Sequence, residues 1–141
     1  MKTILVNRES LIRHELEEEM ENIGGVDVTG SFGDADKALE YAENNIVEFA
    51  LLDTEIPGMD GLELGRRLKE ICPGIVLIYM IGDSSRIVDV IKMKADYCIL
   101  MPYDRNDIED AVERALLLSR RQKKSLSARM FGRFDLFLNG Q

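Results

Sequence analysis

Histidine occurs once, at His14, and cysteine twice, at Cys72 and Cys98. With one imidazole, set in the acidic stretch RHELEEEME, no Ser-His-Asp or paired-carboxylate arrangement is apparent, and His14 reads as part of a solvated helix face. The two thiols lie in separate apolar segments without a C-x-x-C spacing, so they give no ground for a metal site and read as packed thiols of a reducing cytosol. No apolar run approaches the ~18 residues of a membrane span, and no charged-then-apolar leader is present. A cytoplasmic chain with no membrane partner is therefore expected. Glycine-rich phosphate loops are missing too: the segment after the first apolar run, NRESLIR, contains no glycine, which argues against a nucleotide or flavin enzyme. No internal repeat or low-complexity tract occurs.

What the 141 residues do contain is enough apolar material for a core (45%) and a well-charged surface (31%). That size fits one domain with the start of a second. The charge is unevenly spread: residues 1–118 hold 12 Lys/Arg against 25 Asp/Glu, whereas residues 119–141 hold 6 against 1. An acidic body repels nucleic acid, and the basic stretch SRRQKK suits the C-terminal end of a helix, where cations complement the dipole.

Apolar runs rich in β-branched residues alternate with amphipathic stretches. TILV (3–6), VDVTGSF (26–32), FALLD (49–53), IVLIYMI (75–81) and YCILM (97–101) read as strands. Between them lie helices: one from about Ser10 with Ile12, Leu16, Met20 and Ile23 on one face, one capped by Asp34 or Asp36, GLELGRRLKEIC stopping before Pro73, and SSRIVDVIKMK. A last helix runs from about Asp104 into the 120s with Ile108, Val112, Ala115 and Leu116 inward. Strands alternating with helices predict an α/β fold, a doubly wound five-stranded parallel sheet covered on both faces. Right-handed connections leave few topologies, of which the flavodoxin-like order 2-1-3-4-5 fits best. That order places the functional crevice at the carboxyl ends of the first and third strands, bringing Asp53 beside Asn7-Arg8-Glu9.

The tail RMFGRFDLFLNGQ departs from this pattern, with Met130, Phe134, Leu136 and Leu138 alternating like a hairpin strand that ends in an Asn-Gly turn. It predicts an unfinished following domain.

Asp53 at the end of a buried strand, the loop IPGMDG after it, and YDRNDIEDAV opening the last helix together resemble the receiver domain of bacterial response regulators. The likeness spans residues 1–122, with 123–129 as a linker and 130–141 resembling the first strands of a winged-helix output domain. With no catalytic motif the chain reads as not an enzyme, and the resemblance implies a switch whose strand-final aspartate, in typical members, accepts a phosphoryl group from a histidine kinase. Such transfer sets negative oxygens against a negative nucleophile, so magnesium is needed, held in the family by two acidic residues after the first strand. A hydroxyl after the fourth strand and a lysine after the fifth hold the phosphoryl oxygens, and an aromatic in the fifth strand reports the event.

Here the acidic pair falls on Asn7 and Arg8, the hydroxyl on Ile81, the lysine on Met101 and the aromatic on Cys98. Arg8 stands where a hard cation needs oxygen, Ile81 cannot donate a hydrogen bond, and Met101 cannot balance phosphate charge. Ser84 and Lys94 are too far from the matching turns for a shifted register to restore the set. The expectation is an atypical receiver with no metal and no cofactor, in which Asp53 pairs with Arg8 and caps its own turn. The alternative is a conventional magnesium-dependent receiver phosphorylated on Asp53. The resemblance further implies a homodimer through helix 4, strand 5 and helix 5, using Ile87, Val90, Ile91, Tyr97 and Leu117, and a histidine kinase or other regulatory protein as partner. DNA contact is expected only through the missing output domain.

Overall fold

A computed structural model describes the backbone of residues 1–131 and the side chains of residues 1–120. Five strands, β1 (Lys2–Val6), β2 (Asp27–Phe32), β3 (Phe49–Asp53), β4 (Val76–Ile81) and β5 (Tyr97–Leu100), form one sheet. All four pairings are parallel and the order is β2-β1-β3-β4-β5, as the alternating pattern predicts. The three inner strands are buried on both faces, which is why they read as unbroken apolar runs rather than as alternation.

Helices α1 (Ser10–Ile23) and α5 (Arg105–Phe131) cover one face. There Leu16 and Met20 meet Ile108, Val112 and Ala115 over Leu5, Leu51 and Ile78. Helices α2 (Ala35–Asn44), α3 (Gly61–Ile71) and α4 (Ile87–Lys92) cover the other, over Ile4, Ala50, Leu52 and Tyr79. Each fully buried Leu or Ile in these layers contributes ~1.5–3 kcal/mol relative to exposure. Cys72 and Cys98 are free thiols packed against the second layer, and His14 is exposed beside Glu18 at 3.5 Å, both as expected.

Local signals explain the boundaries. Asp34, not Asp36, caps α2, its Oδ1 accepting from the Lys37 N–H at 2.9 Å. The loop IPGMDG folds into a two-residue hairpin, Glu55–Ile56 against Met59–Asp60. Gly58 turns it at φ 97°, a left-handed conformation natural to glycine.

Three elements differ from expectation. The helix read over 84–94 is a 3-10 turn at Ser84–Arg86 followed by only six residues of α4. Asp83 diverts the start by accepting from the Ser85 N–H at 3.0 Å, and Lys94 at φ 64° ends the segment. Strand β5 stops at Leu100, and Met101 follows it with a cis bond to Pro102. Helix α5 continues over the 123–129 segment read as a linker and includes Met130 and Phe131. The rest of the hairpin read in the tail, residues 132–141, lies outside the described residues.

Candidate functional site

The carboxyl ends of β1 and β3 meet at one mouth of the sheet, because β1 pairs with β3 in register from Thr3↔Phe49 to Val6↔Leu52. One residue further along each strand stand Asn7 and Asp53. They share a cleft of about 260 Å³, whose walls include Arg8, Thr54, Gly82, Asp83 and Met101.

Asn7 is 3% exposed and fully engaged. Its N–H donates to the Phe32 carbonyl at 3.1 Å, and its Oδ1 accepts from the Glu9 N–H at 2.9 Å, an Asx turn that starts α1. Its carbonyl accepts from Arg13, and its Nδ2 donates to Asp53 Oδ2 at 3.3 Å. The second carboxylate oxygen of Asp53, Oδ1, accepts from the Glu55 N–H at 3.0 Å, so the aspartate caps its own turn as expected. Gly61 closes that turn, donating from N–H to the Thr54 carbonyl at 3.0 Å. A Cβ at Gly61 would collide with the carbonyls of Asp53 and Thr54, so the loop requires glycine there.

The expected Asp53–Arg8 ion pair is not formed. Arg8 is exposed, and no salt bridge joins the two among the described residues. The side chain that reaches the carboxylate belongs to the preceding residue, since a buried Asn7 on the inward side of the strand leaves Arg8 turned to solvent. Arg8 acts only through space. Burial pushes the Asp53 carboxyl above its ordinary range; the Glu55 N–H and the Arg8 charge oppose that rise, and the Glu55 carboxylate adds to it.

Of the five positions at which a receiver's helpers are expected, three line the cleft: Asn7, Arg8 and Met101. Ile81 does not; it is buried in the layer beneath α4. Cys98 is also turned to that layer, beside Tyr79 on the neighbouring strand.

These residues do not fit magnesium. A hard divalent ion takes oxygen ligands, chiefly carboxylates. The amide of Asn7 is committed through both its atoms, and Arg8 brings a positive charge to the cleft. Among the described residues, no three acidic, histidine or cysteine side chains are grouped to hold a metal ion.

Two features of the surroundings carry no sequence signal. Tyr79, fully buried in β4, donates its hydroxyl to the Gly61 carbonyl at 2.7 Å. Burial raises its pKa well above the ordinary phenol value, with the nearby Asp60 adding to the effect. Arg86, in the turn after β4, reaches Asp60 of the hairpin at 3.0 Å. A larger groove of about 490 Å³ lies beside the mouth between α1 and the start of α5. Tyr103 sits in it, donating to Glu15 at 3.1 Å, its hydroxyl pushed up to about 12 by burial and by that carboxylate.

On the face of α4, β5 and α5, the large apolar exposures are Val88 (58%), Ile91 (64%), Leu100 (54%) and Leu117 (50%). Of the residues expected there, Ile91 and Leu117 are exposed, Ile87 and Tyr97 are half-buried, and Val90 is core. Val88 and Leu100 were not anticipated. Leu100 is the last residue of the edge strand β5.

Comparison with known proteins agrees with this architecture. A family model described as response regulator receiver domain matches residues 3–113. Protein MrkE of Klebsiella pneumoniae is 24% identical over 127 residues, covering 90% of this chain and 47% of that protein. Transcriptional regulatory protein YpdB of Escherichia coli K12 is 24% identical over 125 residues, covering 89% of this chain and 51% of that protein. The chain thus spans about half the length of these curated relatives. The crystal structure of the response regulatory domain of the Klebsiella protein superposes with a TM-score of 0.81 at 24% identity, covering 86% of this chain and all of that one. With the matched family model spanning most of its length, the chain belongs to the response regulator receiver domains.

Proposed function

We propose that this receiver domain governs a transcriptional output module without phosphorylation of Asp53, through self-association or a protein partner. The observation that carries the reading is the chemistry of the mouth. Asn7, Arg8 and Met101 line it at positions where the resemblance expects metal anchors and a lysine, Ile81 at the expected hydroxyl position is buried behind it, and both oxygens of Asp53 accept from protein donors. The name of the YpdB relative, a transcriptional regulatory protein about twice as long as the match, supports an output module beyond α5. On the reading of residues 130–141 that module is of the winged-helix type and is the part that would touch DNA. The domain itself performs no catalysis in this reading.

The partner is a second copy, engaged through α4, β5 and α5. The exposed Val88, Ile91, Leu100 and Leu117 supply apolar contact there, and Arg114 stacks over the Tyr97 ring at 5.0 Å on the same face. One observation favours the conventional alternative: Asp53 ends β3 in an open cleft, as a phosphoacceptor would.

Sedimentation of the 141-residue chain tests the proposal. Self-association that persists in Asp53→Asn and is lost in Ile91→Glu is expected. Ile91 is solvent-exposed, so the substitution leaves fold stability within ~0.5 kcal/mol. A chain that associates only after Asp53 has been phosphorylated would contradict the reading.

A further inference from the structure

The turn after β4 has to be held by something other than the mouth. Gly82 and Asp83 line the cleft, and the chain then runs through Ser84–Arg86 directly into α4. Ile81, the last residue of β4, offers no polar group to fix this turn. Arg86 supplies one. Its Nη2 donates to both oxygens of Asp60, at 3.0 and 3.1 Å, across 26 residues of sequence. Its Nε faces Asp89 in the first turn of α4 at 3.7 Å. Arg86 is 21% exposed and Asp60 46%, so the pair is partly shielded from water and from salt.

Asp60 is itself well anchored. It directly precedes Gly61, whose carbonyl is bound from below by the Tyr79 hydroxyl, and it pairs with Glu55 in the two-residue hairpin. The guanidinium therefore ties a turn and a six-residue helix to the anchored end of the hairpin. Helix α4 has only Val90 fully buried, so its own packing holds it weakly.

We propose that the Arg86–Asp60 ion pair is a latch that fixes the turn after β4 and helix α4 in one position, so that Val88 and Ile91 are presented beside Leu100 without any change at Asp53. This rests on the reading of the α4-β5-α5 face as the interaction surface and names how that surface is set. Arg86 is a positioning residue; it touches no ligand.

The test is amide hydrogen exchange of the full chain, with Arg86→Ala, Asp60→Asn and the charge swap Asp60→Arg with Arg86→Asp. Asp60 makes no side-chain cap bond to α3, so Asp60→Asn removes the charge without removing a cap. The expected result is exchange about five-fold faster over residues 82–94 in each single variant, with β1 and β3 unchanged and partial recovery in the swap. Unchanged exchange over 82–94 in both single variants overturns the latch, and so does acceleration spread evenly over the whole sheet. The outcome is separable from the functional reading. Phosphorylation of Asp53 would sink that reading and leave the exchange pattern intact, whereas a failed latch leaves the chemistry of the mouth untouched.

Discussion

Asn7 Nδ2 donates to Asp53 Oδ2 across 3.3 Å, joining the carboxyl ends of β1 and β3 by a neutral amide. The same amide accepts the Glu9 N–H through its other atom, so a single buried side chain both starts α1 and orients Asp53. An acidic residue at this position would set two carboxylates at that separation, a repulsive arrangement unless a cation lies between them. The neutral amide of Asn7 avoids that repulsion with no cation between the two groups.

That relationship can be reversed. Asn7→Asp with Arg8→Asp adds two carboxylates beside Asp53 to a cleft that Glu9, Glu55 and Asp83 also line. Without a divalent ion this variant is expected to melt below the parent chain, because like charges crowd a partly buried site. Magnesium is expected to raise its midpoint while leaving the parent unmoved, since a ligand that binds only the folded state stabilises it. Thermal melts with and without magnesium check this; a parent chain that responds as strongly as the variant would contradict it.

Asp53 itself costs stability at neutral pH. Burial raises its folded-state pKa above the unfolded value of ~3.9. Between those two values the folded chain binds more protons than the unfolded one, so stability falls as pH rises through that window and stays lower above it. Below the unfolded value both states are protonated and the cost disappears. Asp53→Asn keeps an oxygen for the Glu55 N–H but gives up the acceptor of Asn7 Nδ2, so the pH trend is the readout: its midpoint relative to the parent is expected to rise from pH ~3.5 to pH ~7. Paired melts across that range read the sign directly.

Tyr79 and Gly65 form a steric pair between β4 and α3. A Cβ on Gly65 would collide with the Tyr79 hydroxyl oxygen and would lie 3.2 Å from its ring carbon Cζ. Gly65→Ala is expected to destabilise by ~1–3 kcal/mol, the usual cost of overpacking. Tyr79→Phe deletes the bond to the Gly61 carbonyl, costing ~1 kcal/mol. Combined, the two should cost less than their sum, because removing the hydroxyl makes room for the methyl. Urea midpoints of the four chains close this cycle, and strict additivity would show that the collision is relieved elsewhere.

Much of this architecture was legible in the residues. The inner strands announce themselves by unbroken apolar runs, and the order 2-1-3-4-5 is the best fit among the few that alternation and handedness leave, which is enough to bring Asn7 and Asp53 together. What stayed hidden depends on side-chain direction and on distance along the chain. Charge complementarity suggested Arg8 for Asp53, but strand geometry turned Asn7 inward and Arg8 outward. Arg86 and Asp60 are 26 residues apart and meet only because β3 and β4 are neighbours. Tyr79 read simply as one more apolar strand residue, and nothing local tells that its hydroxyl ends on Gly61. Helix α4 came out shorter than its apolar spacing suggested because the Asp83 turn competes for its first residues.

The most direct measurement is the intact mass of the chain after incubation with magnesium and a small-molecule phosphodonor, with Asp53→Asn as control. The account predicts no adduct in either chain, because Arg8 brings a positive charge to the cleft and Asp53 is held by Asn7 and Glu55. A phosphoryl adduct on the parent that is absent from Asp53→Asn would contradict it, showing that Asp53 accepts the group despite Arg8, Ile81 and Met101.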